Sequence, residues 1–367
     1  MRSRRALSTP GGPLLATGLV AIAAFFEPAF LARDAVLAQD EAPELLTAVP
    51  EMPALAFLDA TTSRVLRPGA VRDFALALLS GTGESGTAKQ GFALEATPWL
   101  FVPGLAIDGR RYRESRLAYV LANAQLSIGT ARADGEDADT DLALGLKLTL
   151  ADRGDPLRSE EFRRALGEAL LECAPARPDP TPSETCAGRE TAEAWEAWTG
   201  EHWNAARLAV AAAWGARLEA SELDERDYAG WRAWAVGAAP LGRRGQLLAQ
   251  LAREERPELG EDPAFREWTA GLRGIAGSPR INGFLELLAV SRDAAHDPNA
   301  GTTPENGESG IWSAGVEARV AEGLWVSAGF GSRFATSLGV AEKTFVAIGL
   351  RWGISSAARM DVLRRAR

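Results

Sequence analysis

The stretch Asp141–Leu150, DLALGLKLTL, places leucine at every second position: Leu142, Leu144, Leu146, Leu148 and Leu150. Between them stand Ala143, Gly145, Lys147 and Thr149. Side chains of a β-strand alternate between faces, so this is one strand with an apolar face and a small, polar one. In a soluble protein the leucines would pack on a core; in a membrane barrel they would face lipid. The rest of the chain has to decide.

The alternation recurs along the sequence. Phe74–Gly81, Gln90–Phe101 and Ala118–Arg132 carry it before the leucine stretch. Trp203–Leu218, Tyr228–Pro240, Gln246–Glu255, Phe265–Ala276, Ile281–Arg292, Gly310–Val320, Leu324–Phe334 and Thr344–Ile354 carry it after. In the third of these from the end, Trp312, Ala314, Val316, Ala318 and Val320 alternate with Ser313, Gly315, Glu317 and Arg319. This is the period-two pattern of a barrel wall. Between Thr191 and Glu255 the composition is also good for helix, and LLAQLAREE reads either way. The shared parity of Arg207, Gly215 and Arg217 favours strands there.

Loop lengths give a second regularity. LGRRG, GSPR and AEG are very short junctions, and they alternate with long polar loops such as ASELDERD and DAAHDPNAGTTPENGES. Tight turns on the periplasmic side and long loops outside are expected of a membrane barrel. Tryptophan placement points the same way. Trp99, Trp203, Trp325 and Trp352 fall near inner strand ends, and Trp231, Trp268 and Trp312 near outer ends, as interfacial girdles would. Trp99, Trp203 and Trp325 share the lumen parity, where packing at the barrel end is the alternative reading.

Residues 1–38 read as an export signal: Arg2, Arg4 and Arg5, then the apolar run Leu14–Phe26, then Val36-Leu37-Ala38 as a cleavage site. A membrane anchor is the alternative. Removing this segment, which carries a net +2, would take the formal charge from −9 to −11, which argues against nucleic acid as a partner. Residues 39–71 form a periplasmic lead-in, 72–355 the barrel and 356–367 a tail. The barrel is interrupted by an insertion at 153–202. Within it SEEFRRALGEALLE has helical spacing, with Ser159 as N-cap and Glu160 and Glu161 in the first turn. AEAWEAW reads as a second, short helix. The only two cysteines, Cys173 and Cys186, flank the Pro-rich loop between them, and an exported chain would join them in a disulfide.

Together these features resemble a Gram-negative outer-membrane β-barrel of porin-like type. The resemblance implies an all-β, antiparallel transmembrane barrel, here of about 12 strands with a small helical periplasmic insertion. It also implies surrounding outer-membrane lipid and the barrel-assembly machinery as partners. That machinery recognises a final strand with Gly followed by aromatic or apolar residues three and five positions on; Gly349, Trp352 and Ile354 match. Ala347 stands where a polar residue is usual, and the chain continues past the strand.

The chain has two histidines, His202 beside the insertion and His296 in a long loop, and neither sits in a nucleophile–base or metal motif. A non-enzymatic protein without cofactor or metal is expected. The lumen parity collects Glu95, Lys147, Arg207, Arg217, Glu267, Arg273, Glu286, Glu317, Arg319, Arg333 and Arg351, seven basic residues and four acidic. In an open barrel they would bias a passive pore towards small anionic solutes; in a closed one they would pair across the lumen. The acidic stretches ADGEDAD and ASELDERD would then form an outer rim able to bind divalent cations. The alternatives that remain are a closed structural or assembly barrel and a soluble secreted β-protein. In the barrel reading, Leu146→Arg should be far more damaging than Lys147→Leu.

Overall fold

The computed structural model describes residues 51–354 apart from 60–62, 69–73, 83–87, 99–106, 108, 134–138, 174–180, 219–225, 260–263, 295–306, 322 and 336–342. The signal segment, the tail, Trp99, His296 and most of both acidic loop stretches therefore lie outside the described residues.

Twelve antiparallel strands close into one barrel in sequential order. They are β1 (Phe74–Thr82), β2 (Ala88–Ala96), β3 (Ala124–Ala133), β4 (Thr140–Asp152), β5 (Arg207–Leu218) and β6 (Arg226–Pro240). There follow β7 (Gly245–Arg256), β8 (Phe265–Gly277), β9 (Ile281–Ala294), β10 (Gly307–Ala321), β11 (Leu324–Ala335) and β12 (Lys343–Ile354). The seam joins β1 to β12, Phe74 opposite Ile354 and Gly81 opposite Ala347. Closure leaves no unpaired edge, the condition for strands to cross a bilayer.

The leucines of β4 point outward. Leu144 is 54% exposed while Ala143 is buried to 1%. The same face elsewhere exposes Ile128, Leu251, Leu272, Leu285, Leu287, Val316, Phe330 and Val346. Among the described residues no second sheet covers this belt, so the soluble reading is excluded. A closed barrel with an apolar exterior and an even strand number is an outer-membrane protein. Trp231, Trp268, Trp312 and Trp352 belong to this exterior. Trp203 and Trp325 do not: both are buried within the lumen, so the packing reading holds for them.

Connections alternate as expected, with one addition. Residues 241–244, 278–280 and 322–323 are the short turns. The helical insertion is on their side, and so is a second, unexpected one. Residues 118–122, read as the start of a strand, belong to α3 (Arg116–Ala122), preceded by α2 (Gly109–Glu114). Ser115 caps α3 by accepting from the Ala118 N–H, and RLAYVLA, with two leucines, two alanines and an arginine, favours helix. β2 likewise ends at Ala96, just before Pro98, which cannot donate to a ladder.

In the main insertion, α4 (Glu160–Glu172) starts at Ser159, whose hydroxyl accepts from the Phe162 N–H. α5 (Thr181–Glu201) is longer than the short helix expected and takes in Cys186, which is disulfide-bonded to Cys173. Phe162, Leu166 and Trp195 pack with Tyr112 and Tyr119, so the two insertions share one core. The Tyr112 hydroxyl donates to Asp155 at 2.7 Å and fastens them together.

Candidate functional site

The small residues between the leucines of β4 face a segment of the same chain. The lead-in was expected in the periplasm; its described part is inside the barrel. Glu51–Leu58, Ser63 and Val65–Pro68 are all buried. The first limb contains α1 (Pro53–Phe57) and runs from the short-turn end towards the long-loop end. Ala54 lies against Gly129 and Gly145 of mid-barrel β3 and β4, and Phe57 against Gly215 near the outer end of β5. The return limb sets Val65 against Gly271 and Arg67 beside Trp203 at the base of β5. The Arg67 N–H donates to Glu51 at 2.7 Å and closes the hairpin at its foot.

The wall is small where the hairpin is thick. A Cβ on Gly215 would overlap the Phe57 ring, and one on Gly145 would lie 2.9 Å from the Ala54 nitrogen. Ala75, Ala77, Ala93, Ala143, Ala209, Ala211 and Ala213 continue this lining and share one apolar cluster with Leu55, Phe57 and Leu58. So small a lining leaves this side of a 12-stranded interior unfilled, and the hairpin fills it. Across the lumen Val65 packs instead on Leu248, Ile275, Phe284, Leu288 and Phe345.

Charge then anchors what size admits. Glu317 on β10 accepts from Arg67 at 3.0 Å, Arg273 at 3.0 Å and Arg351 at 2.7 Å. Glu51 accepts from Arg273 at 2.8 Å and pairs with Arg351 at 3.3 Å. Glu286 accepts from the hairpin's Ser63 hydroxyl and its Arg64 and Val65 N–H groups, and from Ser313 at 2.6 Å. Three guanidiniums and three carboxylates thus balance within one buried cluster. Burial alone would raise the Glu51 carboxyl, but Arg273 and Arg351 outweigh it and hold it below its ordinary value. Burial brings Arg67 down to about 10, still charged at neutral pH. Hydrogen bonds to the hairpin backbone complete the seat: Ser127 to Ala54 N at 3.2 Å and Gln250 to Leu66 N at 2.7 Å.

The other expected lumen residues are also inside, and most are paired along the wall. Lys147 binds Glu95 at 3.2 Å, with Gln125 donating to the same carboxylate at 2.8 Å. Arg207 pairs with Asp152 at 3.0 Å, Arg217 with Asp141 at 3.1 Å, and Glu267 with Arg292 at 2.6 Å. Arg333 reaches Ser309 at 3.1 Å and lies 3.9 Å from Glu267. Arg319 is half-buried at the short-turn end. The periodicity reading missed Arg232, Glu254, Arg256 and Arg292, although Arg232 shares its parity with Trp234 and Val236 in an alternating strand. It also missed every hairpin residue, since the hairpin has no period of its own. Of the final-strand residues, Trp352 is on the outer face, edge-on to Phe74 across the seam, and Gly349 is on the inner one. His202 stacks on Trp198 in the helical cluster, away from the lumen.

Fold and lumen together define a porin-type outer-membrane β-barrel whose interior is occupied by its own N-terminal chain. No protein-family model and no curated protein matches the sequence. Solved structures similar to it are outer-membrane barrels. The COG4313 outer membrane channel from Pseudomonas putida F1 is 10% identical, with 78% of this chain and 98% of that chain covered and a TM-score of 0.41. A KdgM porin is 5% identical over 76% and 99%, with a TM-score of 0.37. The Omp33 protein of Acinetobacter baumannii is 8% identical over 78% and 100%, with a TM-score of 0.33.

Proposed function

We propose that this protein is a non-enzymatic outer-membrane channel for small anionic solutes, closed at rest by the 51–67 hairpin. The observation that carries this reading is the hairpin itself. A separate length of chain fills the small-lined side of the lumen, packed on its other side by wall residues such as Ile275, Phe284, Leu288 and Phe345. Both its limbs end near the short-turn end. It can be withdrawn without threading. Beside its apolar packing, its anchors include buried ion pairs, which add little net stability while fixing one arrangement. Withdrawal removes Glu51 and Arg67 together and leaves Arg273 and Arg351 balanced by Glu317 and Glu286. The preference for anions therefore rests on the seven-to-four excess of basic residues over the whole lumen set. The barrel-assembly machinery would read Gly349, Trp352 and Ile354 on β12.

The complete pairing of the cluster also supports a permanently closed structural barrel, and one experiment separates the two. Residues 51–67 are replaced by a Gly/Ser linker of equal length, and the folded barrel is recorded in a planar bilayer. The expected result is a nearly silent parent and a conducting, anion-selective variant. A folded variant that stays silent would overturn the channel reading.

A further inference from the structure

At the outer tip of the hairpin, three guanidiniums converge on one carboxylate. Asp59 lies 3.6 Å from Arg64, 3.9 Å from Arg232 and 3.5 Å from Arg256. Deeper in the lumen the same kinds of groups meet at 2.7–3.0 Å, the range of a strong charge-assisted bond. The tip pairs are looser and wetter: the Asp59 side chain is 35% exposed, whereas Arg232 is 5% and Arg256 19% exposed. Asp59 is also the one described non-glycine residue with a left-handed backbone, φ 54°, a conformation that costs an L-residue energy.

Beyond Asp59, the acid beside Arg232 and Arg256 is Glu254, which pairs with both. With the Asp59 charge gone, Arg232 and Arg256 would share Glu254 as their paired carboxylate, with Asp141 acting on Arg256 from farther off. An accessible ring adjoins them: half-buried Phe265 has its centre 5.9 Å from the Arg256 guanidinium, whereas Phe57, at 4.8 Å, is buried.

We infer that Arg64, Arg232 and Arg256 form a binding site for a small carboxylate carrying an apolar or ring body, and that Asp59 occupies this site as an internal ligand. A solute carboxylate arriving from the outer mouth competes with Asp59 for the same guanidiniums. Its binding removes the carboxylate tether of the hairpin tip and draws Arg256 and Arg232 from the Phe57 and Ala56 carbonyls they also hold, at 2.8 and 3.5 Å, and so favours withdrawal. The competition step rests on the channel reading above; the site does not.

The test is calorimetric titration of the detergent-folded, full-length barrel with benzoate. Asp59→Asn removes the charge and keeps a residue that tolerates the left-handed backbone; Asp59→Gly serves if the first variant folds poorly. Either should bind benzoate at least tenfold more tightly than the parent, and adding Arg232→Gln should abolish the gain. Equal affinity in parent and Asp59→Asn would overturn the site, even if the linker variant conducts. The expected tightening alongside a silent linker variant would confirm the site and reject the channel.

Discussion

The lumenal hairpin and the helical cluster are both additions to the wall, and they are held in opposite ways. The cluster holds itself: Phe162, Trp195, Tyr112 and Tyr119 form its own core, and a disulfide ties α4 to α5. The hairpin has no core apart from the wall. Its first limb packs on wall alanines and glycines, Val65 of the second packs among larger wall residues, and its charges find partners across the lumen. One is a small fold appended to the barrel, the other a guest within it. Disturbing the wall should therefore move the hairpin and spare the cluster.

The largest effect should come from Glu317. Glu317→Leu leaves Arg67, Arg273 and Arg351 short of their shared partner, and an uncompensated buried charge costs about 3–5 kcal/mol. Urea unfolding of the barrel should show the loss, and protease should reach residues 51–67 while α4 and α5 stay protected. Early cleavage of the helices instead would break the comparison.

Next come Leu146 and Lys147. The sequence reading made the outward Leu146→Arg much the worse substitution, at about 2–4 kcal/mol. The structure revises this. Lys147 is buried against Glu95, so Lys147→Leu strands a carboxylate at a similar cost. The two single variants should lower the unfolding midpoint comparably. Adding Glu95→Gln should restore much of the loss from Lys147→Leu and none from Leu146→Arg. Rescue of neither would mean that the pair contributes nothing.

Reduction of Cys173–Cys186 probes the other side. Closing a loop of this length contributes about 3 kcal/mol, and here it should act on the helical cluster alone. Near-UV dichroism from Trp195 and Trp198 should change with reductant while the barrel's unfolding midpoint does not. The smallest effect is at a cap: Ser159→Ala removes the bond to Phe162 N and should cost about 1 kcal/mol, read as faster amide exchange in the first turn of α4.

Legibility in the sequence follows the same division. The wall was readable because period-two alternation is local: Leu142 to Leu150 declare a face without reference to any other residue. α4 was readable for the same reason, from a cap and its spacing. The hairpin was not, because Glu51 finds Arg273 across 222 positions and nothing in PALAFLDATTSRVLRPG marks a lumenal segment. One clue was present. Ala209, Ala211, Ala213 and Gly215 make the lumen face of β5 too small to fill a barrel of this size. The parity of a strand places charges such as Glu95, Lys147 and Arg273 on the inner face, but whether they line a passage or pair depends on partners that periodicity cannot supply.

The seam between β1 and β12 brings a consequence for biogenesis. Arg351 is on the last strand to be made, and its carboxylate partner Glu51 precedes the first. A cylinder that shut around an empty interior would lack Glu51 and Arg67 together, leaving Arg273 and Arg351 only Glu286 and Glu317 as partners. A wall sealed without the early segment would bury those polar groups with fewer hydrogen bonds than the native seat supplies. The cluster beside the seam thus joins a residue from before the first strand to one on the last, and its bonds are complete only with the early segment inside.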